Sequence, residues 1–288
     1  MAKIILAVSG GVDSMVMLDM ICRSKQYSSH DIIVAHFDHG MRENSAEDAE
    51  FVRRKAEEYS VKFYLGHGEL GEETSEARAR MVRYNFLHSI DPFATVFTAH
   101  HLDDLVETTV INLSRGTGWR GLAVLDTPGI RRPFLETEMF YEPLDKAAIL
   151  EYAAKRQLSF REDQSNSSDE YLRNRIRHQM NNFPMDLEQK MQIYDLWQRQ
   201  KQLKSEIDQL VVSLLPGKNQ PWQRAWFENL DTSLALELLR AGTLQAGVSA
   251  TRPQLEDFRQ AILNYAPGKH FNLPGDRLVK LNKSDFML

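Results

Sequence analysis

A doubly wound parallel α/β sheet, followed by a smaller and mainly helical domain, is the fold this sequence predicts. Three features predict it. Through the first half of the chain, short apolar runs alternate with helix-period patterns. A glycine-rich turn, Ser9–Ser14, closes the first of those runs, where such sheets bind their ligands. Past Phe183-Pro184 the alternation gives way to one long amphipathic pattern. With 288 residues the length suits two domains, expected at 1–183 and 184–288.

The strand runs are Lys3–Ser9, Asp31–Asp38, Val61–Gly66 and Ala94–His100, each short and rich in β-branched or aromatic residues. Helical patterns lie between and after them. Asp13–Arg23 carries Val16, Leu18 and Ile21, with Met15, Met17 and Met20 as core filler. Ala46–Tyr59 sets a charged face against Phe51 and Val52. Ser75–Ser89 carries Met81, Tyr84, Phe86 and Leu87, and His101–Arg115 carries Leu105, Val106, Val110 and Leu113. Then Gly116, Gly118 and Gly121 loosen the chain, and Pro128, Pro133 and Pro143 punctuate it. Asp145 reads as the N-cap of a helix to Gln157. Asp186–Leu215 suits a helix of about 45 Å at ~1.5 Å per residue, ended by Pro216-Gly217. Helical patterns at Leu234–Ala241 and Arg252–Asn264 follow, and two strand-like runs, His270–Leu273 and Leu278–Leu281, come last.

Composition narrows the function. A 42% apolar, 26% charged chain is an ordinary soluble globular protein. Its net charge of −5 excludes nucleic-acid binding by bulk charge, so any RNA contact must come from local basic patches that weaken with salt. The one cysteine, Cys22, excludes an intrachain disulfide and argues against cysteine-ligated zinc or iron–sulfur sites, which agrees with a cytoplasmic setting. No basic n-region with a cleavage site precedes the first strand, and no run approaches the ~18 apolar residues of a membrane span.

Ser9-Gly10-Gly11-Val12-Asp13-Ser14 carries the chemistry. Gly10 and Gly11 permit positive φ and close approach of a ligand to the backbone. The first amides of the following helix have no internal acceptors and favour an anion such as phosphate. Ser9 and Ser14 offer hydroxyls, and Asp13, which would repel bare phosphate, suggests a Mg²⁺ ion or a polar role nearby. The alternative is a capped glycine turn without a ligand. No lysine follows Gly11, so this is not the Walker A pattern G-x-x-x-x-G-K-S/T, and no G-x-G-x-x-G dinucleotide pattern is present.

The strand-borne loop Ser9–Ser14 resembles that of the N-type ATP pyrophosphatases, the PP-loop family, with its adenine nucleotide α-hydrolase-like fold. Members split ATP between the α- and β-phosphates and activate a substrate oxygen as an adenylate. Further segments sharpen the resemblance: His36-Phe37-Asp38-His39-Gly40-Met41-Arg42, Glu76–Tyr84, His100-His101-Leu102-Asp103-Asp104-Leu105-Val106-Glu107, Arg115-Gly116-Thr117-Gly118, Arg131-Arg132-Pro133, Glu162–Asn166 and Arg173-Asn174-Arg175-Ile176-Arg177-His178. In that order, over about residues 3–178, they look like the tRNA(Ile)-lysidine synthetase branch, in a short form without an extra C-terminal domain.

That resemblance implies ATP and Mg²⁺ as cofactors, and free L-lysine and a CAU-anticodon tRNA(Ile) as partners, with a homodimer as one possible assembly. It implies an adenylated C2 oxygen on the wobble cytidine, displaced by the lysine amine to give lysidine, AMP and pyrophosphate. Ser9–Ser14 would hold phosphates, with Asp13 toward Mg²⁺. His36, Phe37, Asp38, Arg115 and Gly116 would hold the rest of the nucleotide. Asp104 and Glu107, three apart on one helix, would hold or deprotonate the lysine ammonium. For Asp103 a solvated helix face is the preferred reading. Arg173, Arg175 and Arg177 would clamp tRNA or the α-phosphate. Of Arg78, Arg80 and Arg83, one would face RNA and the others solvent.

Four rivals are weighed at this point, one of them a free-standing small-molecule ligase, against which the basic run Arg173–His178 speaks. A tRNA thiolase of the same family needs a cysteine pair or iron–sulfur cluster. A two-metal phosphohydrolase would use His36, Asp38, His39, His100, His101, Asp103 and Asp104 but leaves Ser9–Ser14 unexplained. An inactive tRNA-binding relative would have been free to lose Asp13 or Ser14.

Overall fold

The structure, a computed structural model, describes residues 3–24, 26–38, 40, 45–68, 76–161, 176, 182, 184–217 and 220–288. The chain divides into two compact units, Met1–Gln200 and Lys201–Leu288.

The first unit is built on strands β1 (Ile4–Ala7), β2 (Ile32–Asp38), β3 (Lys62–His67), β4 (Thr95–Phe97) and β5 (Ile130–Arg131). All neighbours are parallel, in the order β3-β2-β1-β4-β5. Helices α1 (Val12–Arg23), α2 (Ser45–Glu58), α3 (Glu76–Ile90) and α4 (Leu102–Ser114) fall where the periodicity puts them. A one-turn α5 (Thr137–Phe140) and α6 (Lys146–Arg156) follow, and Asp145 caps α6 through Ala148 N.

Successive strand residues point to opposite faces, so β1 serves two cores. Ile4 and Leu6 pack with Met15, Val16 and Leu18 of α1, Val52 of α2 and Ile149 of α6. Ile5 packs on the other side with Ile33, Leu87 and Val96. The helices α1, α2 and α6 thus cover one face and α3 the other. Because both faces are covered, the central strands read as continuous apolar runs.

Strand β5 was not legible. It is two residues long, and it hides in the proline-punctuated stretch where no alternation can register. Its place beside β4 carries Arg131 into the sheet.

Helix α7 (Leu187–Leu214) contains the boundary between the units. In the first unit its Tyr194 and Trp197 pack against Leu102, Leu105, Val124 and Leu135. Each aromatic has a polar tip that needs a partner when buried. Trp197 Nε1 donates to Val124 O at 2.7 Å, and Tyr194 Oη to Leu135 O at 3.0 Å.

The second unit adds β6 (Trp222–Gln223), α8 (Arg224–Asn229), α9 (Thr232–Gln245), α10 (Arg252–Asn264), β7 (Lys269–Leu273), β8 (Arg277–Leu281) and β9 (Asp285–Phe286). The strands form one antiparallel sheet, β6-β9-β8-β7. Its core gathers Trp222, Phe227, Phe258 and Phe286, with Trp222, Phe227 and Phe258 each within 6 Å or so of a neighbouring ring. Only β7 and β8 were visible as runs; β6 and β9 are too short to show a period. Among the described residues, no helix is long and apolar enough to cross a membrane.

Candidate active site

Chain direction creates the crevice. From β1 the sheet extends through β2 and β3 on one side and through β4 and β5 on the other. The loops leaving β1 and β4 therefore part, at the kind of switch point where open α/β sheets bind ligands.

The loop after β1 is held by its own serine. Ser14 Oγ accepts from the amides of Ser9 and Gly10, both at 3.2 Å, and donates to Gly11 O at 2.9 Å. Gly10 has φ +93°, a conformation L side chains rarely adopt, and its carbonyl accepts from Arg161 N at 2.9 Å. The Arg161 side chain returns to α2, with Nη2 2.9 Å from Glu47 and Nε 3.1 Å from Asp48. Gly11 N-caps α1 without a side-chain bond, which leaves the first helical amides to a ligand.

The loop after β4 meets it. His101 caps α4, its amide donating to Asp104 Oδ2 at 3.0 Å. The buried imidazole sits among three carboxylates: Nε2 is 3.4 Å from Asp104 and 3.8 Å from Asp13, and Nδ1 is 3.5 Å from Asp103. Burial alone would depress its pKa, but Asp103, Asp104 and Asp13 outweigh burial and hold it above the ordinary value. Lys146, the first residue of α6, places Nζ 2.6 Å from Asp13 Oδ1. Its own amide donates to Asp103 Oδ2 at 2.7 Å.

Comparison with known proteins bears on this arrangement. The family model described as PP-loop domain matches residues 1–183. The chain belongs to the PP-loop family. Among curated relatives it is similar to the tRNA(Ile)-lysidine synthase of Enterococcus faecalis, 35% identical over 62% of this chain and 39% of that one. The bifunctional protein TilS/HprT of Listeria monocytogenes is 33% identical over 74% of this chain and 34% of its own length. The tRNA(Ile)-lysidine synthase of Haemophilus ducreyi is 28% identical over 93% of this chain and 64% of that one. The chain thus spans between about a third and two thirds of these relatives. The solved U34-tRNA thiolase NcsA from Methanococcus maripaludis, with its [4Fe-4S] cluster, is similar in fold, with TM-score 0.53 at 17% identity over 70% of this chain and 72% of that one.

In this PP-loop protein the structure brings together Ser9, Gly10, Gly11, Val12, Asp13, Ser14 and Asp104. Glu107, buried at 4% exposure, lies one turn along α4 from Asp104. Asp103 corrects the sequence reading. It is no solvated face: Oδ1 is 2.8 Å from Lys190 Nζ, which also reaches Asp145 at 3.0 Å. These contacts, with His101 and the Lys146 amide, outweigh burial and hold Asp103 well below the usual carboxylate range.

The remaining expected residues make other contacts. His36 is buried with Nδ1 2.8 Å from Val8 O, and burial pushes its pKa down, so it ties β2 to β1. Phe37 packs on Phe86, and Asp38 accepts from Gly40 N at 2.8 Å. Arg115 and Gly116 follow the far end of α4, the length of that helix from His101. Arg80 and Arg83 are half-buried and lie over the Tyr84 ring, at 5.2 and 5.5 Å. Arg78 is exposed. Arg173, Arg175, Arg177, His39 and Glu162–Asn166 lie outside the described residues.

The metal that the resemblance implies at this loop is Mg²⁺ carried by ATP. Mg²⁺ commonly takes one or two carboxylates plus phosphate oxygens and water. Asp13 at the head of α1 fits that donor set. Among the described residues, no group of three His, Cys, Asp or Glu side chains is arranged to hold a metal ion.

Sequence reasoning missed Lys146, Lys190, Arg132 and Arg161. Arg132 was quoted only within a motif, yet it is 4% exposed, directly after β5. The one available signal for Lys146 was negative, the missing lysine of the loop.

Proposed function

We propose that this protein ligates free L-lysine to C2 of the wobble cytidine of a CAU-anticodon tRNA(Ile). ATP adenylates the C2 oxygen and pyrophosphate leaves. The lysine amine then forms the C2–N bond as the C2–O bond breaks and AMP departs. One observation carries the reading. The region matched by PP-loop and tRNA(Ile)-lysidine synthase relatives folds so that Asp13, His101 and Asp104 meet within 3.8 Å at the sheet's switch point.

Each residue has a task in that reading. The loop amides and the head of α1 hold phosphate. Asp13 would hold Mg²⁺, which supplies charge neutralisation at the phosphates. His101 keeps Asp13 and Asp104 in register from opposite loops. Asp104 and Glu107 hold the lysine ammonium, and one of them accepts the proton the amine must lose. Arg173, Arg175 and Arg177 contact tRNA, the domain at 184–288 grips it, and the reaction runs in the cytoplasm.

The test is incorporation of radiolabelled lysine into a tRNA(Ile) transcript bearing CAU, with ATP and Mg²⁺, by wild type and Asp13→Ala. Label from wild type alone, with AMP and pyrophosphate released, is expected. ATP splitting without label would refute lysine as the nucleophile.

A further inference from the structure

We infer, on the ATP-dependent reading above, that Arg161 is a positioning residue for the phosphate loop. It fixes the plane of the peptide between Gly10 and Gly11, and so the direction in which Gly11 N–H is presented to an anion. Ser14 Oγ ties three other peptide groups of the loop, through Ser9 N and Gly10 N at 3.2 Å and Gly11 O at 2.9 Å. The peptide between Gly10 and Gly11 escapes that tie. Within the loop its amide makes a long 3.4 Å contact with Ser9 Oγ. Its carbonyl is held from outside the loop, by Arg161 N at 2.9 Å.

A tie is needed at that point. A trans peptide is one rigid plane with its carbonyl and N–H on opposite edges, so holding Gly10 O sets the heading of Gly11 N–H. Turning the plane over changes ψ of the residue before it and φ of the residue after it. With glycine on both sides, neither change meets a Cβ, and both orientations are sterically open. In the wrong one a carbonyl, not an amide, faces the phosphate and repels it. The Arg161 side chain holds its own backbone in place against α2. Nη2 is 2.9 Å from Glu47 and Nε 3.1 Å from Asp48, and Cζ lies 5.9 Å from the centre of the Phe51 ring.

Ion pairs this exposed, with Arg161 at 41% and Glu47 at 66%, add little to stability. Arg161→Ala should therefore leave the melting temperature nearly unchanged and act on phosphate binding. Titration calorimetry on the full chain would compare pyrophosphate, ATP and adenosine. Arg161→Ala should weaken pyrophosphate and ATP about tenfold, as for one hydrogen bond to a charged group, and adenosine less than about twofold. Glu47→Gln with Asp48→Asn should reproduce the loss with the arginine intact, and Arg161→Lys should recover part of it. In NMR spectra of glycine-labelled protein, saturating pyrophosphate should shift the Gly11 amide in wild type and markedly less in Arg161→Ala. Unchanged pyrophosphate affinity in Arg161→Ala, an equal loss for adenosine, or a Gly11 shift of full size in the variant would overturn the inference alone. Wild type that binds neither pyrophosphate nor ATP would overturn it together with the ATP-dependent reading.

Discussion

His101 Nε2 lies 3.8 Å from Asp13 Oδ1, which makes one imidazole the link between the loop after the first strand and the loop after the fourth. Asp104, 3.4 Å from the same nitrogen, completes the link on the α4 side. A raised histidine pKa in the folded chain has a definite sign. Its stabilisation is fully present below the unfolded value near ~6.5 and is lost as pH rises through the folded value. His101→Gln should therefore cost more stability at pH 6 than at pH 9 in urea unfolding. An equal cost at both would refute the carboxylate cage.

His36 and His100 predict the opposite slope. Burial depresses both; for His100, Asp104 opposes and Arg132, Arg80 and Arg83 add to the fall. Both stay neutral in the fold and charge on unfolding, so stability should decline as pH falls below about 6.5. His100→Asn should flatten that decline between pH 7 and 5. An NMR titration showing His100 protonating near pH 6.5 would remove the basis for it.

Asp19 should be the costliest single carboxylate of the first unit. It is fully buried and held by the hydroxyls of Tyr59 and Tyr152, the latter at 2.7 Å, and by Arg23 Nε at 2.8 Å. Those bonds outweigh burial and lower its pKa. Asp19→Leu takes the shared partner from two part-buried hydroxyls and from Arg23, and should cost about 3 kcal/mol. Denaturant midpoints would read this, and a loss under about 1 kcal/mol would show the network to be slack.

Asp13→Asn should separate activity from stability. Its side chain is 33% exposed, and exposed ion pairs contribute about 0–1 kcal/mol. Turnover of ATP to AMP should fall at least about 100-fold, as expected when a charge at the reacting phosphates is lost, with the melting temperature nearly unchanged. Retained turnover would remove Asp13 from the chemistry.

Gly10→Ala tests the loop's backbone. A Cβ there would meet only ordinary contacts, the nearest Val52 at 3.5 Å, so its cost comes from φ +93°. Strain of about 1–2 kcal/mol should appear in stability and in weaker ATP binding. An alanine variant that binds ATP normally would show that the loop does not need this turn.

The sequence by itself determined the first four strands, the helices between them and the phosphate loop. Those signals are local: a strand's apolar run, a helix's period of 3.6, and glycines before unpaired amides are each readable within a dozen residues. It also determined that Asp104 and Glu107 share a helix face. Only the tertiary structure decided that Asp103 is engaged by Lys190 and that Lys146 reaches Asp13, 133 residues away. Such pairings depend on strand order. Inserting β1 between β2 and β4 brings Asp13 and His101 together, and α6 packing on α1 delivers Lys146 to Asp13. Electrostatic contacts act through space over a few ångströms and leave no periodic trace along the chain.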